Sequence, residues 1–272
     1  MANLFLGYPN RVTGCTFSGG SWVDRSKLAT RDLSDVAETV DATTGSTQVI
    51  ADMGATYTVR AVALLNHNLT SAATIAWSFG TSSGGSEAGS SGAVNVWRMA
   101  FDGVMRNMPT QYGGVIGYPF WAPYVHSADM SCRYIKFAVT DTANPLGKCR
   151  FGRLAIFGGV VPTYNMALGA AIDWNDLTEP ERAGGGGLLY QQKRRFKTAE
   201  IPLNYFDATH RGKIMEMRRG AGVHDEVMFV PDSGDMANAQ EFGFVGRFTG
   251  SQKMPWSMPL AWSTALSLEE LL

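Results

Sequence analysis

Histidine, cysteine and carboxylate side chains are the groups with which this chain could do acid–base or metal chemistry. The chain has four histidines: His67, His126, His210 and His224. None lies in HExxH or HxxxH spacing and no cysteine pair has ligand spacing, so the sequence predicts no metal centre. The stretch His224-Asp225-Glu226 matches half of a deaminase signature, but no P-C-x-x-C follows it. We interpret it as a polar turn.

Other catalytic signatures are also missing from the sequence. No G-x-S-x-G elbow and no G-x-x-x-x-G-K-[ST] loop occurs. The four consecutive glycines at 184–187 have no suitable preceding strand or following helix, so we do not expect them to hold a phosphate; a hinge is the other interpretation. Scattered carboxylates leave a glycosidase pair open, although solvated loop carboxylates are far commoner. The sequence therefore predicts no enzyme, no catalytic residue and no cofactor.

Two loops carry the residue types that bind sugars. Asn66, His67 and Asn68 follow a strand pattern, and the stretch PTQYGGVIGYPFWAPYV (109–125) contains Tyr118 and Trp121. Exposed aromatic rings stack on sugar faces, and Asn and His side chains bond hydroxyl groups. The other interpretation is that the aromatic residues pin an ordered loop onto the domain or onto a partner. Both loops are predicted ligand or partner contacts.

A basic cluster marks the last third of the chain. Its candidate contact residues are Arg194, Arg195, Arg218 and Arg219. Phosphate contact is one interpretation, and ion pairs with a neighbouring subunit are another. Consecutive residues of a strand face opposite sides, so Lys193 and Arg194 do not form one patch. The pattern favours intersubunit or solvated roles.

The composition limits the class of protein that must position these residues. The chain has 272 residues, 45% of them hydrophobic, only 17% charged, with 31 glycines and a net charge of −1. This composition favours short strands and turns, and it predicts no specific nucleic-acid partner. No apolar run is long enough to span a bilayer, and the first residues do not resemble a secretion signal. The three cysteines, Cys15, Cys132 and Cys149, are expected to be reduced and packed, with a bond between the last two as the weaker alternative.

Alternation of apolar and polar residues predicts the strands. In RYIKFAVTD (133–141), Ile135, Phe137 and Val139 form one apolar face. The stretch 57–69 is apolar on both faces, which is typical of a strand covered on both sides. Past 188 the pattern is a strand, a helix that begins after Asp207, and further strands. The sequence thus predicts a mainly β protein with one short helix.

Four segments in order resemble the galactose-binding-like, or discoidin-like, jelly roll. They are VIADMG (49–54), VRAVALLNHNL (59–69), RYIKFAVTD (133–141) and GRLAIFGG (152–159). The resemblance implies an N-terminal β-sandwich jelly roll over residues 1–161. A connector, 162–187, would follow, and then a β-rich ring or barrel domain with one helix over 188–272.

The second half resembles minor tail and baseplate proteins of tailed bacteriophages, on the stretch DLTEPERAGGGGLLYQQKRRFKTAEIPLNYFD and the closing WSTALSLEELL. Distal tail proteins of long non-contractile tails join a ring domain to such a sandwich. The resemblance implies a structural virion protein, assembled in the bacterial cytoplasm, that forms a hexameric or trimeric ring. Its partners would be itself, the tube, the tape measure and the hub, and also a host surface glycan. The alternative function is a carbohydrate-binding or receptor-binding module that uses the sandwich loops.

Overall fold

The computed structural model describes residues 3–98, 121–182, 184–191, 193, 195–250, 255–258 and 261–271. The strands of the first 160 residues are β1 (Phe5–Asn10), β2 (Thr16–Ser18), β3 (Trp22–Val23), β4 (Ala37–Thr39), β5 (Val49–His67), β6 (Thr74–Gly80), β7 (Gly89–Asn95), β8 (Trp121–Thr140) and β9 (Arg150–Val160). Those that follow are β10 (Ala171–Asp176), β11 (Pro180–Arg182), β12 (Leu188–Tyr190), β13 (Arg195–Phe206), β14 (Val227–Val230), β15 (Phe244–Phe248), β16 (Trp256–Met258) and β17 (Ala261–Glu270). The two α-helices of the described residues are α1 (Ala208–Ala221) and α2 (Met236–Phe242).

The mainly β prediction is confirmed, with two differences in detail. All strands except β11 and β12 belong to one sheet, whose main path runs β10-β13-β17-β15-β14-β1-β9-β5-β8-β6-β7. The described strands form no closed barrel, so the barrel variant of the prediction for the second half is wrong. A second helix, α2, was missed because seven residues between two strands are too short to show a helical period.

The sandwich forms because β5 and β8 are long strands that change neighbours along their length. The first part of β5, Val49–Asp52, pairs with β2 and with the end of β8. Its second part, 61–67, lies between β9 and the start of β8. Register shifts between these parts let both strands turn from one layer into the other. Ile135, Phe137 and Val139 are fully buried between the layers, as the alternation predicts.

Strand β1 joins the two halves of the chain. On one edge it pairs with β9, with Leu6 opposite Val160, and on the other with β14, with Phe5 opposite Val230. A buried cluster lies at this junction, formed by residues from both halves: Phe5, Leu33, Ala61, Ala63, Leu65, Trp121, Val125, Ala155, Phe157, Met228, Val230, Ala239 and Val245. The predicted coverage of 57–69 on both faces is therefore confirmed for β5, and this cluster supplies the covering on its second face.

The predicted helix α1 begins and ends where its caps place it. The Asp207 side chain accepts a hydrogen bond from the His210 backbone N–H at 2.8 Å, and the C-cap is Gly222, at a left-handed φ of 54°. Ile214, Met217 and Ala221 lie on one side of α1 and are buried in the core of the second half. That core also contains the alternating β17 residues Trp262, Leu266 and Leu268.

A buried ion pair crosses the junction between the halves. Arg153 on β9 and Glu226, just before β14, are 3.0 Å apart, and their side chains are only 1% and 5% exposed. The Asn10 side-chain amide donates a second hydrogen bond to the Glu226 carboxylate. Burial lowers the pKa of Arg153, although the Glu226 charge opposes this effect. Such a pair tolerates the loss of one partner poorly, because the other charge is left buried.

Replacing Glu226 with Gln is expected to lower the free energy of unfolding by about 3–5 kcal/mol, because Arg153 then lacks a counter-charge. Urea unfolding followed by tryptophan fluorescence measures the change. The neighbouring Asp225→Asn is the matched control. Its pair with Arg31 is exposed, so we expect a loss of less than about 1 kcal/mol. Equal losses in the two variants would contradict the role of the buried pair.

Candidate functional site

The predicted loop Asn66-His67-Asn68 directs its side chains toward the protein. The Asn66 amide donates to the Leu33 carbonyl at 2.5 Å, from a backbone with a left-handed φ of 52°. His67 is 3% exposed, and its Nδ1 accepts a hydrogen bond from the Leu69 backbone N–H at 3.3 Å. Its ring packs edge-on against Trp97, with centroids 5.3 Å apart. Burial lowers the pKa of His67 to about 3, so the ring is neutral at physiological pH.

Asn68 ties this loop to the connection between β8 and β9. Its amide donates to the Lys148 carbonyl at 3.0 Å, and its side-chain oxygen accepts from the Arg150 backbone N–H at 2.7 Å. The Asn144 side chain donates to the Asn68 carbonyl at 3.1 Å and to the Asp141 carboxylate at 2.8 Å. This network holds the two loops together. A ligand role for residues 66–68 stays a prediction, and in this structure their side chains make internal contacts.

Trp121 is the described member of the predicted aromatic loop, whereas Tyr118 lies outside the described residues. Trp121 is 3% exposed, and its indole N–H donates to the Gln240 carbonyl at 2.9 Å. The Gln240 side chain returns a hydrogen bond to the Trp121 carbonyl at 3.0 Å. Helix α2 is thus fastened to the start of β8. This geometry favours the interpretation in which the aromatic residue pins its segment to the protein.

The predicted contact arginines occupy two different elements. Arg195, at the start of β13, is exposed and donates to the Asp176 carboxylate at 2.8 Å. Arg218 and Arg219 lie in the last turn of α1, and Arg219 is exposed. Arg194 lies outside the described residues. Arg195 therefore lies on a different element from Arg218 and Arg219, and an intersubunit role for these arginines stays a prediction.

A polar and aromatic cluster that the sequence analysis missed lies on the outer face of the sandwich, where β5 pairs with β8. Asp52 receives two hydrogen bonds from the Arg133 guanidinium, at 2.8 and 2.9 Å, and one from the Gly54 backbone N–H at 2.8 Å. The Arg133 guanidinium carbon lies 5.1 Å from the ring centroid of Tyr134, the residue paired with Asp52. We call Asp52, Arg133, Tyr134, Arg11 and Tyr57 the Asp52 cluster.

The Asp52 cluster contains a second ring, that of Tyr57, which pairs with Cys132 in the strand register. The Arg11 guanidinium carbon is 4.3 Å from the centroid of Tyr57, and every member of the cluster is partly exposed. The hydrogen bonds from Arg133 lower the pKa of Asp52, with smaller contributions from the Gly54 N–H and the Tyr134 hydroxyl. The cluster therefore presents a fixed carboxylate–guanidinium pair next to the partly exposed ring of Tyr134. Asp52 and Tyr134 are 82 positions apart, and only the strand register brings them together.

Burial keeps the three cysteine thiols protonated. Burial, and then the Asp52 charge, raise the pKa of Cys15 to about 12, and burial raises those of Cys132 and Cys149 to about 11 and about 12. All three cysteines are free thiols. Within the described ranges, no group of three His, Cys, Asp or Glu side chains could hold a metal ion. The helices of the described residues are too short or too polar to cross a membrane.

A second exposed feature projects from the second half of the chain. Strands β10 and β13 pair up to Asp176 and Arg195, and the chain beyond them forms the separate two-stranded sheet of β11 and β12. We call residues 177–193 the arm. The four glycines predicted as a possible hinge lie in the turn at its tip. Its large apolar residues are exposed: Leu177 44%, Leu188 48%, Leu189 60% and Tyr190 63%.

Comparison with known proteins gives only weak similarities. No protein-family model and no curated protein matches the chain. The lectin-binding domain of lectinolysin, solved with Lewis b, aligns at 13% identity over 57% of this chain and 99% of its own, with a TM-score of 0.39. The module CBM32-1 of a family 31 glycoside hydrolase from Clostridium perfringens aligns at 15% identity over 53% and 94%, with a TM-score of 0.32. A fucolectin from striped bass, Morone saxatilis, aligns at 9% over 97% and 99%, with a TM-score of 0.37. Because all three TM-scores are below 0.5, these similarities carry no functional conclusion.

The buried His67 predicts a pH dependence of stability. Its pKa is about 3 in the folded chain and about 6.5 when unfolded, so its contribution is complete above pH 6.5 and is lost as the pH falls toward 3. Between pH 7.5 and 5, the wild type should lose about 2 kcal/mol more stability than His67→Gln, as measured by urea unfolding. His224→Gln, at a site 71% exposed, should keep the wild-type dependence. Parallel curves for wild type and His67→Gln would contradict the buried neutral ring.

Proposed function

We propose that the chain is a non-catalytic carbohydrate-recognition protein and that the Asp52 cluster is its contact surface. The observation that carries this proposal is the position of Tyr134 beside the Arg133–Asp52 pair, with the ring and both charged groups partly exposed. The site differs from the loop predicted from sequence, whose side chains bond to the protein itself.

The chemistry of the cluster suits a saccharide. A sugar ring has an apolar face formed by C–H groups and a rim of hydroxyl groups that donate and accept hydrogen bonds. The Tyr134 ring provides a flat partner for the apolar face, Asp52 provides acceptor oxygens, and Arg133 provides donors. The bidentate contact holds Arg133 and Asp52 in one geometry before any ligand arrives, which reduces the entropy lost on binding.

The same geometry supports binding without catalysis. The hydrogen bonds that lower the pKa of Asp52 keep it ionised, so it is poorly suited to donate a proton as a general acid. Cys132, which precedes Arg133, has a pKa of about 11, and Cys15 has a pKa of about 12, so both remain protonated thiols at neutral pH. His67 is buried away from the outer face. The described cluster therefore lacks the paired acid and base that glycoside hydrolysis requires.

Loss of one stacking ring tests this function. We expect Tyr134→Ala to weaken sugar binding by about tenfold, because it removes an aromatic contact of about 1 kcal/mol or more. Calorimetric titration with galactose, fucose, mannose and N-acetylglucosamine, after a glycan-array screen, measures the affinity. Tyr164→Ala, which removes an equally large exposed ring elsewhere, is the matched control and should bind as the wild type does.

A second variant separates charge from geometry at this site. Arg133→Lys keeps the positive charge but cannot make the bidentate contact, so binding should also weaken. The proposal fails if no glycan on the array binds the wild type, or if Tyr134→Ala and Tyr164→Ala bind equally well.

A structural protein of a bacteriophage tail tip is the second candidate function. The observation that favours it is the arm, whose exposed apolar residues are typical of a surface covered in an assembly. In this function the chain forms a ring, joins the tail tube to the host-recognition apparatus, and contacts the tube, tape-measure and hub proteins. It would be assembled in the bacterial cytoplasm and retained in the virion tail.

Immunogold electron microscopy tests this candidate. Antibody raised against the purified chain should label the tail tips of particles released from the source host. Antibody against the same particles' capsid protein is the control for accessibility. Labelled capsids with unlabelled tails, together with absence of the chain from purified particles by mass spectrometry, would refute the tail function.

A further inference from the structure

The arm exposes apolar side chains on both of its faces. Leu188, Leu189 and Tyr190 are consecutive on β12, so their side chains alternate between the two faces of the hairpin. All three are exposed, and β11 and β12 pair only with each other. An isolated two-stranded hairpin is marginally stable in water. Apolar residues on both faces of such a hairpin indicate that a partner covers it.

One face of the arm forms an acidic cleft. A volume of about 490 Å³ lies between Glu179, Glu181, Leu189, Tyr190 and Lys193, with Pro180 and Gln191 completing the lining. The two carboxylates and the two apolar residues are exposed. The cleft therefore fits a surface that presents cations next to an apolar side chain.

The outer side of α1 presents such a surface. Met215 is 49% exposed, and Arg219 lies one turn further along the same side of the helix. Lys213 and Arg219 are exposed, and Arg218 is half-buried. In the part of the chain that the structure describes, no carboxylate lies within ion-pair distance of Lys213, Arg218 or Arg219. Apart from Glu216, the charged residues of this helix are basic.

We propose that the arm of one copy of this chain binds the outer side of α1 of a second copy. Glu179 and Glu181 would face Arg218 and Arg219, while Leu189, which pairs with Glu181 and shares its face of the hairpin, would cover Met215. The occupant is a second copy because Glu179 and Glu181 of the cleft are opposite in charge to Arg218 and Arg219 of the helix, so the chain itself carries both sides of the contact. Because arm and helix are different surfaces, the contact repeats head to tail and gives a ring or a filament.

Self-association of the full chain tests this contact. Sedimentation velocity and mass photometry should show species larger than the 29.4 kDa monomer, with a concentration midpoint that rises with salt. Glu179→Arg with Glu181→Arg should raise that midpoint by more than about 100-fold, because like charges then meet across the contact. Arg218→Glu with Arg219→Glu should do the same. Glu200→Arg, an exposed reversal on β13, is the control and should assemble as the wild type does.

A charge swap makes the test specific. The chain carrying all four reversals restores opposite charges across the contact and should assemble again, as should an equimolar mixture of the two double variants. Circular dichroism and thermal unfolding check that each variant is folded. A wild type that stays monomeric at all concentrations would overturn the proposal, and so would a four-fold variant that remains monomeric although folded. Sugar affinity of Tyr134→Ala is measured on a different surface, so failure of one proposal leaves the other standing.

Discussion

Pairing of β1 with both β9 and β14 is the constraint on which the rest of the structure depends. A strand has two edges, and here one edge is used by each half of the chain, so six residues near the N-terminus join the two halves into one sheet. At Gly159 on β9 the backbone of β1 leaves no room for a side chain, because a Cβ atom would lie 2.3 Å from the Leu6 carbonyl oxygen. The Arg153–Glu226 pair and the apolar cluster around Phe5 then fill the same junction. The two halves therefore share one sheet, and their division into domains at 161 and 188 stays a prediction.

Burial decides which of the predicted polar residues remain available for a ligand. Asn66, His67 and Asn68 stand where the sandwich loops meet, and their hydrogen bonds go to neighbouring backbone groups because buried polar groups without partners are costly. The Trp121 indole N–H is likewise bonded inside the protein, to the Gln240 carbonyl. Partly exposed polar and aromatic side chains lie elsewhere, around Asp52, and exposed apolar side chains lie on the arm. The proposed sugar contact lies on the main sheet and the proposed contact with a second copy lies on the separate hairpin of the arm, so the two proposals do not require the same residues.

Local patterns were enough to predict some of the elements, such as the apolar strand faces and helix α1. Alternation at Ile135, Phe137 and Val139 predicts their burial, and Asp207 predicts the start of α1, because these features depend on a period of two or on one capping group. The apolar character of 57–69 on both faces predicts that β5 is covered twice. The sequence could not show what covers it, since Met228 and Val245 come from the far end of the chain. Helix α2 and the turn formed by 184–187 were misjudged, because short elements carry almost no periodic signal.

By itself, the sequence determined that the chain is mainly β, that its strands bury Ile, Val and Phe faces, and that a capped helix follows Asp207. These properties follow from side-chain period and backbone preference, which act over a few residues. Only the tertiary structure decided that Asp52, Arg133 and Tyr134 meet, that His67 is buried, and that the arm extends freely from the sheet. Each of these depends on strand register and on contacts between residues far apart in the chain, and a one-residue slip in register would turn every side chain of a strand to the opposite face.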